Sequence, residues 1–182
     1  SILNGDASRV KNIHEMMNEI SQQERSIENI CLKLLMQQQP VARDLRTISA
    51  ALKMVTDMER IGIQACEIAE IIAKGNIRNI EAKVDFKELA DEITKMVGMT
   101  IESFECKDID LAHEVIAYDD VVDNLFCAIR EELIEKIKNG GSDAEYFVDM
   151  LMIDKYFERI GDHAVNIAKW VCFSITGEIK IV

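Results

Sequence analysis

Apolar residues recur at three- and four-residue intervals through five stretches of this chain, about 6–38, 41–74, 84–106, 109–138 and 143–174. That spacing lays one apolar stripe along an α-helix. The interruptions carry helix-stopping chemistry: Gln39-Pro40, Gly75-Asn76, the polar step Lys107-Asp108, and Asn139-Gly140-Gly141. Ser142, with Glu145 three positions on, offers a capping box for the last stretch. One proline and eight glycines in 182 residues leave few places to break a helix. Clusters of β-branched and aromatic residues that would suggest strands are missing. The expectation is an all-α fold, and stretches of about 30 residues suit an elongated antiparallel bundle.

The pattern is written twice. Glu59-Arg60-Ile61-Gly62 returns as Glu158-Arg159-Ile160-Gly161, and laying 52–72 over 151–171 also matches Leu52 with Leu151, Ala65 with Ala164, Ile68 with Ile167 and Ala69 with Ala168. The last three stretches read as a complete three-helix bundle within a repeat spanning 79–182. The first two match only its second and third members, so the repeat at 1–78 is expected to be incomplete. Only Ser1 to Gly5 stands where its opening helix would end, and the chain opens on Ser1 rather than methionine; sequence upstream is therefore expected. Apolar side chains of 6–38 and 41–74 should then be partly uncovered, or covered by a neighbouring chain.

A net charge of −12 argues against nucleic acid as a partner, since affinity for a phosphate backbone comes from Lys and Arg displacing counterions. The five cysteines are widely spaced and odd in number, which suits reduced core thiols better than a disulfide framework or a zinc motif. The chain holds no apolar run of membrane-spanning length and no charged-then-apolar leader, so a cytoplasmic location is expected.

Any chemistry lies in carboxylates spaced four apart. Asp154, Glu158, Asp162 and Asn166 form a line along the last helix. It runs beside the packing stripe of Phe147, Met150, Leu151, Phe157, Gly161, Ala164 and Ala168. The preceding helix adds Asp119, Asp120 and Asp123. In an antiparallel pair the two rows could face each other and supply several oxygens to a cation; equally, carboxylates at this spacing decorate solvated helix faces. The first repeat offers Glu24 and Glu28, then Glu59, but Ile63 stands where Asp162 stands in the second, and Glu67 where Asn166 stands. Arg60 and Arg159 read as structural side chains, Gly62 and Gly161 as points of close helix contact, and His163 as a surface group turned away from Asp162. No nucleophile with its base is visible.

The run Gln39-Pro40-Val41-Ala42-Arg43-Asp44-Leu45-Arg46, the Glu59-Arg60-Ile61-Gly62 motif, and Glu158-Arg159-Ile160-Gly161-Asp162 through Asn166-Ile167-Ala168 together resemble the PhoU family of phosphate-uptake regulators. The resemblance implies two tandem three-helix bundles carrying E/DxxxD motifs that bind iron or zinc clusters. Carried over, those motifs are Glu24/Glu28, Asp119/Asp123 and Glu158/Asp162, with Glu59 the surviving half of a fourth. It further implies a non-enzymatic regulator that contacts the ATPase of a phosphate ABC transporter and a sensor histidine kinase and represses the phosphate-starvation response, with homodimerisation a further expectation. Two other readings are a PhoU-like domain of a sodium–phosphate cotransporter and a di-metal carboxylate enzyme. The enzyme would want Glu-x-x-His pairs, which this chain lacks.

Overall fold

The structure, a computed structural model, describes residues 7–37, 41–73, 84–140 and 143–178. Among them the only regular elements are five α-helices: α1 (Ala7–Gln37), α2 (Ala42–Ala73), α3 (Lys87–Cys106), α4 (Ile109–Lys138) and α5 (Ala144–Thr176). Each follows one of the five apolar-periodic stretches. Gln39-Pro40, Gly75-Asn76 and Gly141 lie outside the described residues.

The α3–α4 junction shows how the polar step turns the chain. Lys107 adopts a left-handed conformation with φ 52°, and its N–H and that of Asp108 donate to the carbonyls of Phe104 and Ser103. Asp108 then caps α4, its carboxylate accepting from the N–H of Asp110 and of Leu111, each at 3.0 Å. At the start of α5 the expected Ser142 cap is replaced by Asp143, whose Oδ1 accepts from Tyr146 N at 3.0 Å. The helix begins one residue later than a Ser142 box requires, so Glu145 falls short of the reciprocal position. The third apolar stretch also begins before its helix. Val84 and Phe86 are buried ahead of α3, Val84 N donates to Tyr146 Oη at 3.2 Å, and Phe86 stacks on Phe157 with ring centroids 6.2 Å apart.

Helices α3, α4 and α5 each pack on the other two, forming the expected three-helix unit. Leu89, Ile93 and Met96 of α3, Val115 and Val122 of α4, and Met150, Ile160 and Val171 of α5 are 8% exposed or less. Helix α2 lies along α5, and its Ala50, Met54 and Ile68 join the same apolar cluster. Helix α1 packs chiefly on α2. Its buried described side chains are only Glu24 and Cys31, while Met16, Ile27, Ile30, Leu32 and Met36 are exposed. The uncovered apolar face foreseen for the first repeat is therefore real on α1. On α2 it is limited to Leu45 and the preceding Val41, because α5 covers the rest.

The stripe expected on α5 needs two corrections. Leu151 is 45% exposed, and Asp154, expected at the margin, is fully buried. A helix packed by α2, α3 and α4 buries more of its circumference than the one stripe of a surface helix. All five cysteines are free, but Cys106 and Cys127 are exposed rather than core residues.

Both repeated glycines mark close approaches. A Cβ on Gly161 would meet Val122 Cγ1 at 3.4 Å and Ile93 Cδ1 at 3.5 Å, whereas one on Gly62 would meet Ile20 Cδ1 at 3.2 Å. The Gly161 distances are ordinary contact, so Gly161→Ala should gain about 0.5–1 kcal/mol from helix propensity. Gly161→Leu should lose about 1–3 kcal/mol through overpacking. Urea denaturation of both variants measures this, and equal effects of the two would contradict the packing described.

Candidate metal centre

The spacing of four places Asp119 and Asp123 on one side of α4, and Glu158 and Asp162 on one side of α5, and packing of α4 on α5 turns the rows toward each other. Gly161 faces this contact: a Cβ there would lie 3.7 Å from Asp119 Oδ1, an ordinary contact distance. Burial pushes the Asp119 carboxyl up to about 6, with Asp123, Asp162 and Asp120 adding negative potential. Asp162 is raised too, first by desolvation of its carboxyl and then by Glu158, even though part of the residue reaches solvent. Lys155 is paired with Glu158 on the same helix. Three members of the quartet, Asp119, Asp123 and Asp162, thus feel one another across two helices.

In the first repeat Glu24 on α1 is buried, and its carboxyl is raised by desolvation and by the charges of Glu28 and Glu59. Ser21 Oγ donates to Glu59 Oε1 at 2.7 Å. These three carboxylates therefore also gather, on α1 and α2. Ile63 brings no oxygen to them, and Glu67 instead accepts from Tyr156 Oη at 3.4 Å.

Hard carboxylate oxygens crowded to mutual repulsion suit a multivalent cation, which would relieve the repulsion. The donor chemistry of both sets fits iron or zinc, more fully in the second repeat. The oxygens are not, however, gathered as tightly as one coordination sphere. Among the described residues, the set with one donor atom from each of three groups, all within 4.8 Å, is His14, Cys66 and Glu70 in the first repeat. Sequence spacing could not reveal it, because His14 and Cys66 belong to different helices.

A cleft of about 490 Å³ opens beside the second set, between α2, α4 and α5. Arg60 and Arg159, the arginines of the repeated motif, both line it, with Asp119, Asp162, Gln64 and Lys169. The expectation for His163 is corrected here. It is only partly exposed, and its Nδ1 lies 2.8 Å from Asp57 Oδ1, because α2 lies along the face of α5 from which His163 projects.

Asp154 is buried without compensation. It is fully buried, neither carboxylate oxygen has a hydrogen-bond partner, and burial followed by Glu158 raises its carboxyl to about 7. In the unfolded chain the group returns toward 3.8. Between these values the folded protein holds the extra proton, so its stability falls as pH rises through that window and levels off above about 7. Asp154→Asn removes the titration, and the variant should gain about 1–3 kcal/mol on the parent between about pH 5 and about pH 8. Thermal unfolding across that range reads the difference; parallel profiles would show that Asp154 does not titrate as described.

With the geometry in view, the comparisons with known proteins are direct. The sequence profile of the PhoU domain matches residues 1–72 and 86–171. A phosphate-specific transport system accessory protein PhoU homologue of Pseudomonas aeruginosa is 30% identical over 181 residues, 97% of this chain and 74% of that protein. A homologue of the same description from Methanothermobacter thermautotrophicus is 34% identical over 155 residues, 84% of this chain and 71% of its own length. The crystal structure of PhoU from Pseudomonas aeruginosa superposes with a TM-score of 0.90 at 30% identity, covering 97% of this chain and 86% of that one. The fold alone is shared with the phosphate transport system regulatory protein PhoU from Streptococcus pneumoniae, with a TM-score of 0.88 at 21% identity.

Proposed function

This chain belongs to the PhoU family, and from that membership we propose that it is a non-enzymatic regulator of phosphate uptake and of the phosphate-starvation response. It acts by contact with the ATPase of a phosphate ABC transporter and with a sensor histidine kinase, at the cytoplasmic face of the membrane and through those partners only. The observation that carries this reading is the 30% identity over 97% of the chain to a protein described as an accessory of the phosphate-specific transport system. A net charge of −12 supports docking on basic partner surfaces, an attraction that weakens as salt screens it. No helix of the described residues is long and apolar enough to cross a membrane, consistent with peripheral attachment. Deleting the gene should derepress starvation genes in phosphate-replete cells. Unchanged expression and unchanged phosphate uptake would overturn the reading.

The same proposal assigns iron or zinc to Asp119, Asp123, Glu158 and Asp162, and a second, poorer site to Glu24, Glu28 and Glu59. Bound there, the cation supplies charge neutralisation and a cross-link between neighbouring helices, with no reaction to drive. The protein's part is to hold the carboxylates in register along helices that already pack together. Asp162→Ala should lower the metal carried per chain and the thermal stability of the loaded protein, while Ile63→Asp should raise metal content by completing the first set. Elemental analysis of protein purified without chelator gives the result. Unchanged content and stability in Asp162→Ala would mean the rows are solvated helix faces.

A further inference from the structure

His14 on α1 and Cys66 and Glu70 on α2 meet where the two helices of the first repeat pack. His14 Nδ1 lies 3.5 Å from Cys66 Sγ, Cys66 Sγ lies 3.9 Å from Glu70 Oε1, and His14 Nε2 lies 3.6 Å from Glu70 Oε1. Cys66 is buried, whereas the side chains of His14 and Glu70 are 51% and 42% exposed. The thiol is thus a fixed point at the bottom of the set, and the imidazole and carboxylate can adjust above it.

At bond lengths of about 2.3 Å to sulfur and about 2.0–2.1 Å to nitrogen or oxygen, tetrahedral ligand atoms stand about 3.3–3.6 Å apart. An imidazole gives one nitrogen to a given ion. Nδ1 already stands at such an edge from Sγ, and the sulfur–oxygen separation exceeds the edge by a few tenths of an ångström. The partly exposed Glu70 carboxylate closes the third edge by turning toward that nitrogen, the three donor atoms lying within 4.8 Å of one another. We propose that His14, Cys66 and Glu70 form a binding site for a borderline-soft divalent transition metal of the zinc class, with the fourth position open to solvent. The donor set separates this site chemically from the carboxylate rows. One thiolate and one imidazole select zinc-class ions over the hard cations that all-oxygen sets take. The ionised groups whose charge is felt at the thiol, Glu70 and Glu67, are both negative, which favours a cation there.

The second repeat has no equivalent. The positions matching Cys66 and Glu70 under the repeat are Val165 and Lys169, an apolar group and a cation. The site is therefore a property of the first repeat alone, and its structural consequence lies there. Helix α1 packs chiefly on α2 and exposes Met16, Ile30 and Met36, so it is weakly held by apolar burial. A metal joining His14 to Cys66 and Glu70 clasps α1 onto α2.

The test uses the chain carrying Cys106→Ser and Cys127→Ser, so that the exposed thiols are silent, stripped of metal by chelator under reducing conditions and titrated with cobalt(II). One equivalent should produce thiolate-to-cobalt charge-transfer absorption, which zinc then displaces. Cys66→Ser should abolish that absorption, and His14→Ala and Glu70→Gln, at exposed positions that fold without difficulty, should each weaken cobalt affinity at least about tenfold. Asp119→Asn and Asp162→Asn should leave it unchanged, which makes the outcome independent of the carboxylate sites proposed above. Hydrogen exchange of α1 amides should slow on zinc addition in the Cys106→Ser, Cys127→Ser chain and not in the Cys66→Ser variant. Absence of the absorption, its survival in Cys66→Ser, or affinities unmoved by both His14→Ala and Glu70→Gln would each overturn the proposal.

Discussion

Helix α5 is packed by α2, α3 and α4 at once, and most features of this molecule follow from that crowding. A helix with one packing partner can turn its charged residues to water; a helix with three has little circumference left. Phe147, Met150, Phe157, Ile160, Ala164 and Val171 are buried on it, and the carboxylates that share its sequence must fit between them. Asp154 falls inside the packed zone, Glu158 is partly covered, and Asp162 sits at the rim beside the cleft. The raised carboxyls of Asp154 and Asp162 are the electrostatic expression of this steric fact. An acidic line on so buried a helix is costly without protons or a cation, and the metal proposed for Asp119, Asp123, Glu158 and Asp162 would relieve that cost.

The same crowding decides what sequence could foretell. Helix positions followed from apolar periodicity, since each amphipathic stretch must bury one face, and the repeated Glu-Arg-Ile-Gly segment revealed two equivalent packing arrangements. The opposition of Asp119/Asp123 to Glu158/Asp162 was legible because spacing within a helix fixes the face, and a short connection between long helices makes them neighbours. How α2 sits along α5 was not legible, because no local signal records which faces of two distant helices meet. That unknown hid the Asp57–His163 pair, while the sharing of α5 among three partner helices hid the full burial of Asp154 and the exposure of Leu151. The Asp143 cap was missed for a smaller reason. Ser142 and Asp143 are both good caps, and the choice between them is settled by where the first buried turn, with Tyr146, must begin.

Divergence between the two copies is chemically directed. Where the second repeat has Asp162 the first has Ile63, and where the second has Val165 and Lys169 the first has Cys66 and Glu70. Carboxylates gather on the α4–α5 contact and, less completely, on the α1–α2 contact, where the mixed nitrogen, sulfur and oxygen set also lies. The difference tracks how well each helix pair is already held. Helices α4 and α5 share an apolar core, so a cation between them would relieve repulsion more than it would add cohesion. Helix α1 has little buried apolar area of its own, so cross-linking donors matter there for holding the hairpin together.

The two sets of donors are joined by α2, which carries Glu59, Cys66 and Glu70 on its way along α5. Arg60 and Arg159 line one cleft on that seam, and Asp57 reaches across it to His163 at 2.8 Å. His163 follows Asp162 directly, so a shift in where Asp162 is held moves the residue that α2 leans on. A change of charge at the second set would therefore have a short mechanical route to α2, and from α2 to α1, whose outer face exposes Met16, Ile27, Ile30, Leu32 and Met36. The proposed regulation by partner contact would need a surface whose presentation depends on internal state. In this fold the α2–α5 seam is where the internal charge and that outer surface are physically connected.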